Sequence, residues 1–237
     1  MSKNKHMHSG TPAHVGPSTR TSGPVSLVQG IYGARGNLEL VACDAADGLW
    51  VFWFNADSDD DPLATPDVPP GRWSAGLSFA SGQHYLEAQI LQSTLGPDHL
   101  EVLALTADGA LESWYWSPGP GFQRRERDVA DRVRRFIATH QDGTLQVTVS
   151  DATGEVRHLV SPPRGYPSRT WLPAQSGPSL DVDAAPAVLA AGIPAEDLAP
   201  GTARAATSTR HGGTLELTWR DADGGIRHLG VPHSPFS

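Results

Sequence analysis

Hydrophobic and polar residues alternate along most of this chain in short runs that are separated by turns. In residues 98–116, Leu100, Val102 and Ala104 fall on one face, and Asp108-Gly109 separates this run from an aromatic-rich one. Alternation with a period of two predicts a half-buried β-strand, and an Asp-Gly pair between two such runs predicts a β-hairpin. This stretch therefore predicts two antiparallel strands.

The same pattern occurs four times. The turn glycines align at Gly48, Gly109, Gly154 and Gly224, and the preceding strands align at Leu38, Leu100, Leu145 and Leu215. The repeats cover about residues 25–81, 82–130, 131–175 and 202–237, with an insertion at 176–201. Because a four-stranded repeat of about 45 residues is typical of a propeller blade, we predict an all-β fold. The expected architecture is one small β-propeller domain of about four four-stranded blades over residues 25–237.

The predicted strands fall within these repeats. They are 25–32, 37–43, 49–54 and 72–79, then 85–91, 100–105, 110–116 and one from Phe122, then 133–139, 144–150, 155–160 and one at Trp171, and finally 203–209, 214–220 and 225–231. The last repeat lacks a fourth strand, so residues 19–25 are expected to supply it and close the ring. The rest of residues 1–24 is predicted to be a flexible tail. The insertion predicts a short helix at 186–191, with Pro186 in its first turn.

Composition and charge narrow the function classes. The chain has 237 residues, 25 Gly, 20 Pro and a formal net charge of −8, which argues against broad contact with nucleic-acid phosphates. The lone Cys43 excludes an intramolecular disulfide and is expected in the core. No apolar run is long enough for a membrane span, and no signal peptide is evident, so a cytoplasmic location is expected.

Two stretches contain candidate metal ligands. His6, His8 and His14 lie in the N-terminal tail, and aspartates cluster within residues 57–61. Neither has the companion ligands or spacing of a known zinc site or EF-hand loop, so a tail and a solvated acidic loop are favoured. We expect no metal and no cofactor.

The residue pattern of the repeats resembles that of bacterial β-propeller lectins of the tachylectin-2-like and fucose-binding kind. The resemblance rests on Asp108-Gly109-Ala110-Leu111, on His158 and His228 where that family has its histidine, and on Trp73 in a fourth strand. Phe122 stands where the second repeat would have a tryptophan, and Trp171 comes late. The resemblance covers nearly the whole chain from Val25 and implies carbohydrate binding in clefts between blades.

A lectin-like binding module is therefore the first functional hypothesis. Its ligand is a saccharide or another small polar metabolite. Indole rings are the platforms on which sugar faces stack, although many of these rings will be core. The candidate ligand-binding residues are Trp53, Trp73, Trp114, Trp116, Arg157 and Arg227. A homodimer and an open arrangement of blades stay as alternatives.

An enzyme is the second hypothesis. Because histidine titrates near neutral pH, a histidine-lined pocket would suit metal-independent acid–base chemistry of the isomerase or cyclase type. The candidate catalytic residues are His140, His158, His228, Asp108 and Tyr115. The composition is typical of a high-GC bacterial source, where small propellers serve secondary metabolism. A protein-interaction scaffold is the third hypothesis.

Overall fold

The computed structural model describes residues 10–61, 67–93 and 99–232. Within these ranges the chain forms four antiparallel sheets of four strands each. Three of the sheets are built from consecutive strands. Sheet I contains β2 (Thr21–Gln29), β3 (Leu38–Asp44), β4 (Leu49–Phe54) and β5 (Leu77–Phe79). Sheet II contains β6 (Tyr85–Gln92), β7 (Leu100–Thr106), β8 (Leu111–Ser117) and β9 (Gly121–Arg124). Sheet III contains β10 (Arg135–Gln141), β11 (Thr144–Ser150), β12 (Val156–Ser161) and β13 (Leu172–Ala174).

The fourth sheet combines the two ends of the chain. Sheet IV contains β14 (Arg204–Ser208), β15 (Thr214–Arg220), β16 (Ile226–Pro232) and, beside β16, β1 (Ala13–Val15). The pairing joins Ala13 to His228 and Val15 to Ile226. The N-terminal strand therefore lies earlier than the predicted 19–25, because the backbone from Thr21 onwards pairs with β3 instead.

The Asp-Gly turns have a common local chemistry. Gly48, between β3 and β4, has φ +92°, a left-handed conformation that favours glycine. The side chain of Asp44 accepts hydrogen bonds from the backbone N–H groups of Ala46 and Asp47, at 2.7 and 3.0 Å. An aspartate that accepts backbone bonds in this way stabilises a tight turn. These local signals explain why the hairpins are readable from the sequence.

Apolar clusters join the sheets in the order IV–I–II–III. In sheet I, Leu40 and Ala42 of β3 face sheet IV, whereas Val41 and Cys43 face sheet II. Strand β7 is buried along its whole length because sheets I and III cover its two faces. Strands that are covered on both faces read as near-continuous apolar runs. Alternate residues of one strand therefore enter different junctions between sheets.

The insertion lies against both sheet III and sheet IV. Its helix α1 (Ala185–Ala190) buries Val188 against Leu217, Trp219 and Leu229 of sheet IV. At its start, Gly177 approaches Thr148 and His158 of sheet III so closely that a Cβ would lie 2.6 Å from the Thr148 hydroxyl. The predicted helix is present, and Pro186 lies in its first turn. No helix in the described ranges is long and apolar enough to cross a membrane.

Candidate functional site

A glutamate occupies the same strand position in three of the sheets. Glu39, Glu101 and Glu216 each follow the first leucine of the second strand of their repeat, and all three are buried. Since side chains alternate along a strand, Glu39 points into the junction of sheets I and II, Glu101 into that of II and III, and Glu216 into that of IV and I. Three junctions therefore contain an equivalent carboxylate.

Junction I–II contains a cavity of about 270 Å³. Its walls are mostly aromatic and aliphatic, formed by Tyr32, Val51, Trp53, Leu77, Leu100, Trp116 and Phe122. Its polar lining residues are Asn37, Glu39, Asp67 and Gln92. Trp53 is the cross-strand partner of Glu39, so an indole and a carboxylate lie side by side on sheet I. The opposing wall, with Trp116 and Phe122, comes from sheet II.

The amide of Gln92 is held by the backbone around the cavity. Its Nε2 donates to the carbonyls of Ser93 and His99, at 2.8 and 2.7 Å, and its Oε1 accepts the N–H of Ile31 at 3.3 Å. These bonds tie the β2–β3 turn of sheet I to the β6–β7 turn of sheet II. Gln92 therefore stabilises the junction and leaves little hydrogen-bonding capacity for a ligand.

Junction IV–I contains a buried polar network next to a second cavity. Glu216 accepts hydrogen bonds from Ser208 at 2.6 Å and from Nη1 of Arg210 at 3.1 Å, and its other oxygen lies 2.8 Å from Nε2 of His228. Burial alone would raise the pKa of Glu216, but the bonds from His228, Ser208 and Arg210 outweigh it and hold this pKa below its usual value. The carboxylate is therefore charged at neutral pH.

Two aromatic rings, one at the end of β4 and one in the segment between β4 and β5, pack beside this network. The Trp73 ring lies edge-on to His228, with centroids 5.3 Å apart, and the Arg210 guanidinium lies 4.6 Å from the centre of the Phe54 ring. Phe54 and Arg210 also line the adjacent cavity of about 670 Å³. Nε and Nη2 of Arg210 form no hydrogen bond to any residue that the structure describes. Two donors of a stacked guanidinium are thus left for a ligand.

Junction II–III is filled by the protein itself. Arg169, from the loop after β12, donates from Nε and Nη2 to one oxygen of Glu101, at 3.1 and 2.9 Å. Arg125 pairs with the other oxygen at 2.7 Å. Tyr115 and Tyr166 pack on these guanidinium groups. The carboxylate that corresponds to Glu39 and Glu216 is therefore enclosed by two arginines.

The four candidate ligand-binding tryptophans lie at junctions between sheets, whereas the two candidate arginines bond to aspartates. Trp53 and Trp116 line the I–II cavity, and Trp73 lies in junction IV–I. Trp114 packs edge-on against Phe79 in the I–II core and donates to Glu112. Arg157 and Arg227 instead bond to Asp131 and Asp221 beside their own strands.

The candidate catalytic residues do not converge on one pocket. His228 bonds to Glu216 in junction IV–I, and His158 bonds to Thr148 beside the insertion. His140 lies within electrostatic range of Glu101 and Arg169; burial, followed by Arg169, lowers its pKa. Tyr115 belongs to the same junction, whereas Asp108 bonds to Thr106 in an exposed turn. The histidine-lined pocket of the enzyme hypothesis is therefore not present among the described residues.

The metal candidates lie partly outside the described residues. His6 and His8 fall there, while His14 pairs with Arg227 in sheet IV. In the acidic loop, Asp57 accepts a hydrogen bond from the backbone N–H of Arg35, and Asp61 accepts one from Nε of the Arg35 side chain. No group of three or more potential metal-ligating side chains occurs in the ranges 10–61, 67–93 and 99–232.

Sequence reasoning missed the glutamates and the arginines that meet them. The signal for the glutamates was present, because Leu-Glu recurs at residues 38, 100 and 215 ahead of an alternating apolar run. No comparable signal marks Arg169 or Arg210, since each is one arginine among several in a loop or turn. Their roles depend on contacts between sheets.

Neither a protein family nor a curated protein matches the chain. The solved structures to which the chain is similar include the six-bladed, fucose-recognising lectin of Aleuria aurantia, at 11% identity and a TM-score of 0.43; the match covers 91% of this chain and 59% of the lectin. The BP39L lectin of Burkholderia pseudomallei is 15% identical with a TM-score of 0.46, and the match covers 91% of this chain and 57% of that lectin. AofleA of Arthrobotrys oligospora is 13% identical with a TM-score of 0.43, and the match covers 97% of this chain and 64% of AofleA. This chain spans less than two thirds of the length of each of them, and its described residues form four sheets. Similarity at this level does not assign the chain to a family.

Proposed function

We propose that this protein is a lectin-like module that binds carbohydrate at the junctions between its sheets. The four sheets are the blades of a small β-propeller, and the strand β1 joins the last blade to the first part of the chain. One observation carries the proposal: an equivalent carboxylate recurs at three junctions, each time with aromatic rings beside it. A polar–aromatic set that recurs at several junctions favours a binding protein over an enzyme, for which we expect a single asymmetric set.

The two open junctions have the chemistry that a sugar needs. In junction I–II, Trp53 and Trp116 offer flat apolar surfaces close to the carboxylate of Glu39. In junction IV–I, Arg210 offers two donors beside Phe54, within a larger and more polar cavity. Cavities with mostly apolar walls and a few placed polar groups are the usual form of small-ligand sites.

The test is a glycan-array screen of the full chain, followed by titration calorimetry with the best saccharide. Trp53→Ala should weaken binding at junction I–II about tenfold or more, equivalent to about 1.4 kcal/mol. The matched control is Trp171→Ala, because Trp171 is also partly buried but packs in the II–III core. Arg210→Ala tests junction IV–I in the same way.

Loss of binding in Trp53→Ala or Arg210→Ala, with binding retained in Trp171→Ala, supports the proposal. A blank array overturns it. Binding that survives in a folded double variant, Trp53→Ala with Arg210→Ala, also overturns it, because the ligand would then lie elsewhere.

A further inference from the structure

We infer that the ligand of junction I–II is a glycoside with an apolar aglycone, such as an aryl or alkyl group, rather than a free sugar. This inference rests on the proposed carbohydrate-binding function and specifies the ligand class of one site. Its basis is the uneven distribution of polar and apolar groups around the 270 Å³ cavity.

Most of the surface that lines the cavity offers no hydrogen-bonding partner to a hydroxyl group. Seven of its eleven lining residues are aromatic or aliphatic. The side-chain amide of Gln92 already forms hydrogen bonds with three backbone groups of the two turns. A hydroxyl that is buried against an apolar wall loses its hydrogen bonds to water without replacement, which is unfavourable. A ligand with hydroxyls on every edge therefore does not fit the whole cavity.

The apolar lining continues to the surface. Leu77 and Tyr32 line the cavity and are nevertheless 49% and 39% exposed. Ile31, which precedes Tyr32 in the sequence and donates its N–H to Gln92, is 53% exposed. Large apolar side chains grouped at the mouth of a cavity are typical of a binding site rather than of a free surface. Leu77 lies opposite Val51 on the neighbouring strand, so the apolar lining of sheet I continues from β4 to the exposed strand β5.

Polar and apolar regions therefore divide the site. The carboxylate of Glu39 is buried on sheet I beside Trp53, where the hydroxyl edge of a sugar stacked on that indole would face it. Leu77 and Tyr32 lie where a group attached to the sugar would leave the cavity. An apolar aglycone covers this rim and removes it from water, which is favourable in proportion to the apolar area buried.

The experiment compares methyl and p-nitrophenyl glycosides of the same sugars by titration calorimetry on the full chain. The panel contains α-L-fucose, β-D-galactose, β-D-glucose and N-acetyl-β-D-glucosamine. At least one p-nitrophenyl glycoside should bind tenfold or more tightly than its methyl counterpart. Leu77→Ser should remove most of this preference.

Leu172→Ser is the matched control. Leu172 begins the outermost strand of sheet III as Leu77 begins that of sheet I, and it is 47% exposed, but it lies outside the cavity. The aglycone preference should therefore persist in Leu172→Ser.

The other outcomes separate this inference from the proposed function. Equal affinity for methyl and p-nitrophenyl glycosides overturns the inference and leaves carbohydrate binding intact. Binding of p-nitrophenol alone as tightly as its glycosides overturns both, because the sugar would contribute nothing. The absence of binding by the whole panel and by the glycan array also overturns both.

Discussion

Glu101 of sheet II and Arg169 of sheet III form an ion pair whose side chains are both completely buried, with Nη2 and Oε1 2.9 Å apart. The remaining nitrogen of the Arg169 guanidinium donates to the carbonyls of Gly143 and Ser161. A single side chain thus connects the carboxylate of one sheet with two backbone segments of the next. The pair joins the sheets and fills junction II–III, whereas the equivalent glutamates, Glu39 and Glu216, lie beside cavities in the other two junctions.

We predict that Arg169→Ala lowers the free energy of unfolding by about 1.5–3 kcal/mol, because the buried Glu101 carboxylate loses one of its two arginine partners while Arg125 remains. Urea denaturation followed by tryptophan fluorescence measures this loss. The control is Arg157→Ala, which removes a half-exposed pair with Asp131 and should change stability by less than about 1 kcal/mol. Similar small losses in both variants would show that Arg169 does not join the sheets.

The fold was more predictable than the site because its signals are local. Alternating residues and Asp-Gly turns lie within a few positions of each other, and they led to four repeats that correspond to the four antiparallel sheets. The contact between Arg169 and Glu101 instead spans 68 residues and depends on how two sheets pack. The position of β1 was missed for the same reason. A strand of three residues is too short to show an alternating pattern, and its position depends on pairing with β16.

Strand β1 should contribute measurably to stability. Val15 is completely buried between sheets IV and I, and β1 forms the outermost ladder of sheet IV. Val15→Ala should lower the free energy of unfolding by about 2 kcal/mol, in line with the value of a buried valine side chain. Val156→Ala is the matched control, because Val156 is a strand valine that is half exposed. If the two substitutions have equal effects in chemical denaturation, β1 is not part of the stable fold.

The Glu216 network should make stability depend on acid pH. Burial would raise the pKa of Glu216, but bonds from His228, Ser208 and Arg210 bring it below its usual value. A depressed pKa stabilises the fold above the pKa of the unfolded chain, about 4.3, and this contribution disappears as the pH falls through the folded pKa.

The test compares melting temperatures of the wild type and Glu216→Gln between pH 3 and pH 8. The difference should be largest near neutral pH and should shrink as the pH falls below about 4.3, the pKa of a glutamate in the unfolded chain. Other carboxylates with lowered pKa values, such as Asp44 and Asp221, contribute equally to both proteins and cancel in the difference. A difference that is constant with pH would contradict the ionised network.

Cys43 should be inert in the native protein. It is completely buried between sheets I and II, and burial, together with the charge of Glu87, raises the pKa of its thiol to about 12. Because the thiolate is the reactive form, the burial of the thiol and its raised pKa both slow its modification at pH 8.

We predict that Ellman's reagent reacts with the native thiol only at the rate of unfolding. In 6 M guanidinium chloride, one equivalent should react at once. Because Val15→Ala destabilises the fold in which Cys43 is buried, the Cys43 thiol of this variant should react faster than that of the wild type. Rapid reaction of the wild type at pH 8 would instead mean that the I–II core around Cys43 opens without global unfolding.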